Sequence, residues 1–366
     1  MLISVRRNVE AKRKSTGLED VHLVHQAIPE VDLDSVDTTT IFLGKKISAP
    51  ILISAMTGGF RGAVKINKML GRIAEKHKVA IGVGSQRSAL ESLDDKEIVE
   101  SYAVVRQEAP SVPILANIGV PQLLKERNID AILKIVDMIQ ADALAVHLNP
   151  LQEAVQPEGE AVFAGALKAI EELASSLSKP IVVKETGAGI SKEVAKALDK
   201  IEGVEYIDVG GAGGTSFAAV EYYRALKARN KRMARLGLTF WNWGMPTAIS
   251  LLEVLSATSK KVIASGGIRS GVEIAKCIAL GASMAGIARP FLKILVKEGL
   301  RGLDEYLSQL KDELRITMFL TGSRRISDLY ERDVVITGFV REWLEQRGID
   351  LREVLKRRRN RIGAMG

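Results

Sequence analysis

Eight short apolar runs, separated by amphipathic helical stretches, constrain the fold of this chain more than any other feature. They are PILISAM (50–56), VAIGVG (79–84), PILANIG (113–119), DALAVHL (142–148), PIVVKET (180–186), EYIDVG (205–210), KVIASGG (261–267) and SMAGIA (283–288). Each is apolar nearly throughout rather than alternating, which suits parallel strands covered on both faces. Helical patterns fall at 63–77, 94–109, 121–140, 161–178, 191–202, 218–235, 246–259 and 270–280. Eight strand–helix units predict an α/β fold closed as a (β/α)8 TIM barrel. An open doubly wound sheet usually has fewer strands and a GxGxxG loop after the first, whereas here the first strand ends in MTGG.

A single domain over 1–366 is expected, with the barrel core at about 48–290. Residues 1–45 form a lead-in, 211–245 a long insertion between strand six and its helix, 291–350 a helical extension and 351–366 a basic tail. With 366 residues, 46% of them hydrophobic, the chain can bury a core of that size. No window approaches the ~20 apolar residues of a membrane span. The start, MLISVRRNVEAKRK, carries charges where a signal peptide has its apolar segment, so a cytoplasmic location and no membrane association are expected. Cys277, the one cysteine, sits in the helical pattern EIAKCIAL and reads as a small core residue. The net charge of +8 is concentrated in Lys12, Arg13 and Lys14 and in KRRRNR (356–361). No aromatic residues are interleaved to stack on bases, so these runs read as solvated termini and no nucleic-acid partner is expected.

Catalysis in such barrels sits at the C-terminal strand ends. Those ends carry Met56-Thr57, Ser85-Gln86-Arg87, Asn117, His147 with Asn149, Lys184, Gly213-Gly214-Thr215, Gly266-Gly267 and Ala288-Arg289. In VHLNPLQE (146–153), His147 and Asn149 are two apart and share one face of strand four if it continues that far. Gln152 and Glu153 follow on the departing loop. Polar groups there must be satisfied by water or by a ligand, and the stretch reads as part of an active-site mouth. SGGIRSG (265–271) precedes a helix, so its backbone N–H groups and the helix N-terminus can cradle a phosphate, with GAGGTS (210–216) widening the cradle. Lys184 is two residues from Val182 and from Thr186, so it should point into the barrel. It is either a Schiff-base lysine, a permanent cation beside an electron-rich cofactor with Asn117 offering its amide, or half of an inward ion pair without function.

MTGG (56–59), GVGSQR (82–87), HLNPLQE followed by QPEGE (147–160), VKETG (183–187), GGTS (213–216), NWGMPTA (242–248) and SGGIRSG (265–271) together resemble the motif set of type 2 isopentenyl diphosphate isomerases. The resemblance runs from about residue 8 to residue 350, and HLNPLQE with QPEGE separates this family from other flavin barrels. It implies FMN, Mg2+, NADPH as a reductant of the flavin, a small-molecule diphosphate substrate, and conversion of isopentenyl to dimethylallyl diphosphate in isoprenoid biosynthesis. It also implies a homo-oligomer, a tetramer or octamer. Residue by residue, Ala55, Met56, Thr57, Gly58, Ser85, Asn117, Lys184 and Thr215 match flavin contacts. Gly266, Gly267, Ile268, Arg269, Ala288 and Arg289 match the cradle of its phosphate. Ser85, Gln86, Arg87 and Gln152 match substrate contacts and Glu153 the magnesium carboxylate, with Gln152, His147 and Asn149 near the reacting carbons or the diphosphate. Two departures stand out. The matching residues start at RRNVEA, after an Arg-Lys and Glu-His segment that usually reaches the diphosphate; that segment is expected to be missing, leaving Arg6 and Arg7 as possible substitutes. Arg289 stands where the family usually has leucine.

Three other readings compete. An FMN-dependent oxidoreductase of small hydroxy acids wants a histidine base and paired arginines in the late loops, yet residues 205–290 contain no histidine. A phosphate-binding barrel without flavin, such as an aldolase using Lys184, explains the cradle but not NPLQE. A non-catalytic nucleic-acid binder would rest on the terminal basic runs.

Overall fold

The computed structural model describes residues 2–125 and 129–358. The eight expected strands close into a parallel barrel: β1 (Ile51–Ile53), β2 (Ala80–Gly82), β3 (Ile114–Gly119), β4 (Ala143–Leu148), β5 (Ile181–Glu185), β6 (Val204–Asp208), β7 (Lys261–Ser265) and β8 (Met284–Ile287), with β8 paired to β1.

Because side chains alternate along a strand, the barrel interior is built in layers. Leu52, Ala80, Leu115, Ala145, Val182, Tyr206, Ile263 and Met284 fill one apolar layer. The hairpin Thr40–Phe42 and Lys45–Ile47 plugs it from below, with the Phe42 ring edge-on to Tyr206 at 5.1 Å. Two residues further along every strand comes a layer with no apolar side chain: Ser54, Gly82, Asn117, His147, Lys184, Asp208, Ser265 and Gly286. The barrel therefore changes from hydrocarbon to hydrogen-bonding groups within one strand repeat. That boundary is the floor of the site.

The helix at 63–77 forms as expected, as Ala63–His77. Others differ. The stretch 94–109 becomes Lys96–Glu108, capped by the Asp95 carboxylate and preceded by the short helix Arg87–Glu91. The 161–178 helix starts at Ala166, and 121–140 holds Val120–Lys125 and Ile129–Asp137, residues 126–128 lying outside the described residues. The 218–235 helix, inside the insertion, is not continuous. It splits into Phe217–Lys227 and Lys231–Thr239 at Arg229, whose φ of 56° is left-handed, with Asn230 capping the second helix. The two halves pack on each other and on the helix Pro150–Val155. The helix covering β6 is Thr247–Ala257, close to the expected 246–259, and the one after β8 is Arg289–Leu320, broken at Gly299. Amphipathic periodicity reports a buried stripe, but not which surface buries it.

The lead-in is stitched to the insertion: Glu10 pairs with Thr215, Ser216 donates its N–H to Val9 O (2.8 Å) and Trp241 Nε1–H donates to Glu10 O (2.9 Å). Val21–Leu23 pairs antiparallel with Val334–Ile336, joining the two ends of the chain. Burial pushes the Cys277 thiol up, consistent with a packing role. Of the basic tail, Arg358 is buried and donates to the carbonyls of Ala279 and Arg332; residues 359–366 lie outside the described residues. No helix of the described residues is long and apolar enough to cross a membrane.

The C-terminal helix Gly338–Gln346 is fastened by Arg347, which bonds the fully buried Glu253 (2.9 Å) and Glu193 (2.6 Å); Trp343 Nε1–H (2.9 Å) and the Lys192 N–H (2.9 Å) complete the Glu253 shell. These bonds hold the Glu253 pKa below its ordinary value despite burial. Arg347→Met should cost about 3 kcal/mol at neutral pH, because it leaves a buried charge without its cation. A carboxyl with a depressed folded pKa contributes stability above its unfolded pKa and loses it as the pH falls. The gap between wild type and variant in urea melts should therefore narrow below pH 4.5. A gap that persists at pH 3 would place the loss in packing instead.

Candidate active site at the open end of the barrel

Above the polar layer lies a cavity of about 420 Å³, within the range of cofactor sites. Of the residues expected there, Ala55, Met56, Ser85, Arg87, Asn117, His147, Asn149, Gln152, Glu153, Lys184, Thr215, Gly266, Gly267, Arg269, Ala288 and Arg289 line it. Thr57, Gly58, Gln86 and Ile268 do not. Thr57 Oγ1 bonds Asn67 Oδ1, Ile268 is buried in the core, and a Cβ at Gly58 would enter the Tyr102 ring. Gln86 is fully buried: its side chain accepts from the Asn117 N–H (3.0 Å) and donates to Ile135 O (2.7 Å), so it ties β3 to its helix. Arg6 and Arg7 stay outside the cavity, Arg7 lying over the Tyr223 ring.

The β4 end is built around Glu153. Asn149 starts the helix Pro150–Val155, with proline at its first turn, and this brings Glu153 back beneath the loop. Glu153 is buried and accepts from Asn149 Nδ2 (2.8 Å), Gln156 Nε2 (2.9 Å) and the Glu160 N–H (2.7 Å). No lysine or arginine of the described residues lies within 4.0 Å of it, and Asn149 Oδ1 is buried without a hydrogen-bond partner. A buried carboxylate without a cation, beside an unsatisfied amide oxygen, fits one hard cation whose remaining ligands come from water and an anionic substrate. No cluster of three or more His, Cys, Asp or Glu among the described residues makes a full protein cage. Gln152 faces the cavity and reaches Glu221 Oε1 at 3.5 Å. Glu221 is 1% exposed, and burial raises its pKa to about 6 against the opposing pull of Arg224 at 2.8 Å.

His147 is held by Asn117. Asn117 Nδ2 donates to Val83 O (3.2 Å), which turns Oδ1 toward His147 Nδ1 at 2.9 Å. Nδ1 therefore carries the proton, and Nε2 lies above Gly119, where a Cβ would come within 2.8 Å of it. Desolvation, aided by the Lys184 charge, lowers the ring pKa to about 4, so His147 is neutral at pH 7. Lys184 Nζ lies 3.4 Å from the Asp208 carboxylate and donates to Glu185 O (2.9 Å). Glu185 takes the N–H groups of Gly187 (2.5 Å), Ala188 and Gly189 (3.2 Å) on one oxygen, while its burial raises the pKa to about 7.

The donors expected for a phosphate cradle are differently disposed. After β7 the helix Gly271–Leu280 is already capped: Glu273 takes the N–H groups of Arg269 (2.7 Å) and Ser270 (3.1 Å), and Glu313 takes that of Gly271 (2.6 Å). The helix that begins at Arg289 has no side-chain cap, and Ala288, Arg289 and Leu292 line the cavity. Its N-terminus, with the left-handed glycines Gly266 and Gly267, is the end of the cavity that suits an anion. Glu10 reaches over from the lead-in to both Arg289 (2.7 Å) and Arg269 (3.3 Å). A Cβ at Gly214 would sit 2.5 Å from Gly267 N, so the loops after β6 and β7 touch backbone to backbone. Gly214→Ala should weaken FMN binding by about tenfold or more, the order expected from wedging one methyl between closely packed loops. Fluorescence titration of the apoprotein measures this, and an unchanged affinity would remove the two-loop cradle.

Asp208, Glu221, Glu10, Glu185, Gln122 and Gln156 were not singled out from sequence. A period-2 count along β6 from Tyr206 would have found Asp208. Glu221 and Glu10 carry no local signal, since only the folding of the insertion and the lead-in brings them here.

A closed parallel barrel with an apolar lower layer, a polar upper layer and glycine-rich loops after β6 and β7 is the architecture of phosphate-binding barrel enzymes, those that hold FMN among them. Residues 136–336 match the model of the FMN-dependent dehydrogenase family. Solved structures of mandelate oxidase (TM-score 0.61, 18% identity, 90% of this chain and 94% of that one) and of flavocytochrome b2 (TM-score 0.62, 19%, 88% and 79%) share the fold. Sequence narrows the assignment. The isopentenyl-diphosphate delta-isomerase of Pyrococcus furiosus is 47% identical over 361 residues, covering 97% of this chain and 89% of that one, and the one from Methanosarcina mazei is 48% identical over 346 residues, covering 94% and 93%. This chain belongs to the isopentenyl-diphosphate delta-isomerase family, in its FMN-dependent form.

Proposed function

We propose that this protein moves the double bond of isopentenyl diphosphate to give dimethylallyl diphosphate, using reduced FMN and Mg2+, with NADPH as a reductant of the flavin. The observation that carries the reading is Glu153, a buried carboxylate without a cation in the same mouth as Gln152 and His147. Its setting fits a metal that bridges a diphosphate. The competing chemistries fit less well. A hydroxy-acid oxidoreductase needs a basic histidine and free arginines, whereas His147 is depressed to about 4 and both Arg269 and Arg289 are engaged by Glu10. A Schiff-base lysine needs a neutral amine, whereas Lys184 is paired with Asp208.

An isolated alkene has no acidic proton near neutral pH, so the site must add a proton at one carbon and remove one at another. Reduced FMN, when bound, supplies an electron-rich ring and an acid/base nitrogen for that exchange. Residues at the ends of β1, β2, β3 and β5, Lys184 among them, would hold its ring, and Gly266, Gly267 and the helix N-terminus at Ala288-Arg289 its phosphate. Glu153, with Asn149 Oδ1, would hold Mg2+, and Arg87, Mg2+ and His147 would fix the diphosphate. Gln152 orients the reacting carbons, and Glu221 behind it accepts from the Gln152 amide and holds it in place. The working form is proposed to be a cytoplasmic tetramer or octamer.

A neutral His147 whose Nδ1–H is committed to Asn117 can donate to a diphosphate oxygen from Nε2 only after gaining a proton. A bound anion favours the charged ring while Lys184 and a bound Mg2+ oppose it, so a fraction of a proton should be taken up on substrate binding, growing as the pH falls toward 5. Calorimetry of the oxidised, Mg2+-loaded holoprotein in buffers of different ionisation enthalpy measures this. The uptake should vanish in His147→Asn. Equal uptake in that variant would place the proton elsewhere. The overall reading is tested by an anaerobic assay with reduced FMN, Mg2+ and isopentenyl diphosphate. Product formation matched by NADPH consumption would replace it with a true oxidoreductase.

A further inference from the structure

Asp208 is 1% exposed and projects from the end of β6 into the polar layer, beneath the cavity rather than in its lining. One carboxylate oxygen accepts from Ser265 Oγ of β7 and from the Gly210 N–H (3.3 Å); the other faces Lys184 Nζ of β5 at 3.4 Å. Lys184 has three donor hydrogens. One serves Glu185 O and one points to Asp208, leaving the third for the cavity. A buried ammonium with no carboxylate beside it tends to lose its proton. The titratable groups facing Lys184 are Asp208 from β6, His147 from β4 and Glu185 from its own strand; Asn117 and Ser265, from β3 and β7, complete the neutral surroundings. Neutral His147 supplies no negative charge, and Glu185 gives most of its hydrogen-bonding capacity to the 187–189 backbone.

We propose that Asp208 is a positioning residue that keeps Lys184 protonated and aimed at the flavin ring, so that the cation presented to FMN is set from β6 as well as from β5. The proposal rests on the reading of Lys184 as a flavin contact. Asp208 touches neither substrate nor cofactor and acts through Lys184 alone. Removing its charge should leave Lys184 Nζ without its carboxylate partner and make FMN binding depend on pH.

Three variants separate these ideas: Asp208→Asn, Lys184→Met and the double variant. Asparagine retains an acceptor for Ser265 and Gly210 and replaces only the oxygen facing Lys184. The dissociation constant of oxidised FMN, read by flavin fluorescence from pH 6 to 9, and the two-electron midpoint potential are measured for each. For Asp208→Asn, FMN binding should stay near wild type at pH 6 and weaken on the order of tenfold by pH 9, as the unpaired ammonium loses its proton. Lys184→Met should bind FMN more weakly at every pH without that transition, and the double variant should match it. Should Asp208→Asn fail to fold, a folded double variant that matches Lys184→Met still shows the coupling, because removing both charges together leaves neither one buried alone. Wild-type affinity and potential in Asp208→Asn across the range overturn the proposal, as does an Asp208→Asn effect of equal size in the Lys184→Met background. Unchanged affinity and potential in Lys184→Met remove the flavin contact itself and the proposal with it.

Discussion

Glu153→Gln is expected to lower kcat/KM of the reduced enzyme on the order of 10²- to 10³-fold and to raise its Mg2+ requirement, the scale of losing a charged metal ligand. The substitution keeps the volume of the side chain. It also keeps an acceptor for Asn149 Nδ2, but turns an amide NH2 toward both Gln156 Nε2 and the Glu160 N–H, which donate to the same oxygen of the native carboxylate. Stability should therefore fall by about 1–3 kcal/mol, because those donors lose their buried acceptor. FMN content should be that of the wild type, since the flavin residues sit on other strand ends. A variant with normal turnover at low Mg2+ would move the metal away from β4. One that loses FMN together with activity would mean a collapsed mouth rather than a missing ligand.

Gln152→Ala is expected to slow the reduced enzyme about 10²-fold, the usual cost of losing one group in proton transfer or its positioning. Glu221 makes this prediction sharper. Its carboxyl stands 3.5 Å behind the Gln152 amide, and burial raises its pKa to about 6. An ionised Glu221 only accepts and so fixes the Gln152 amide, whereas a protonated one turns an O–H donor toward it, so kcat/KM should fall as the pH drops through about 6. His147, depressed to about 4, should add no transition near its ordinary value of 6.5. Glu221→Gln should abolish the limb near pH 6, and solvent deuterium should enter dimethylallyl diphosphate more slowly in both variants. A profile whose limb survives Glu221→Gln would assign the titration to another group. Glu185, raised to about 7, is the next candidate.

The two networks differ in how far they were readable beforehand. HLNPLQE is local: the spacing of His147 and Asn149 on one strand face, followed by a tight proline-started helix, is set within eight residues, and the structure keeps all four polar side chains at the cavity. The Gly-rich loops of the expected anion cradle were also legible as loops that meet backbone to backbone, because glycine where backbones must nearly touch leaves a mark in the sequence. Which helix N-terminus serves that cradle was not legible. Glu273 and Glu313 consume the donors after β7, and Glu313 is 42 residues away from Gly271 on another helix. Gln86 illustrates the reverse error: a polar residue in a motif reads as a ligand contact, yet its amide is spent inside the barrel wall.

By itself the sequence determined the eight strands, their parallel pairing and the residues that point inward, because apolar runs and a side-chain period of two are properties of each segment alone. It also determined that Lys184 faces the barrel interior. The tertiary structure decided what Lys184 meets there. Asp208 reaches it because β5 and β6 become neighbours with Lys184 opposite Asp208, and Ser265 completes the group from β7. It also decided that the insertion folds back to carry Glu221 to Gln152, and that Glu10 spans Arg269 and Arg289. These contacts join residues tens to hundreds of positions apart, and what selects them is the desolvation of charged groups that find a partner only when the whole barrel closes.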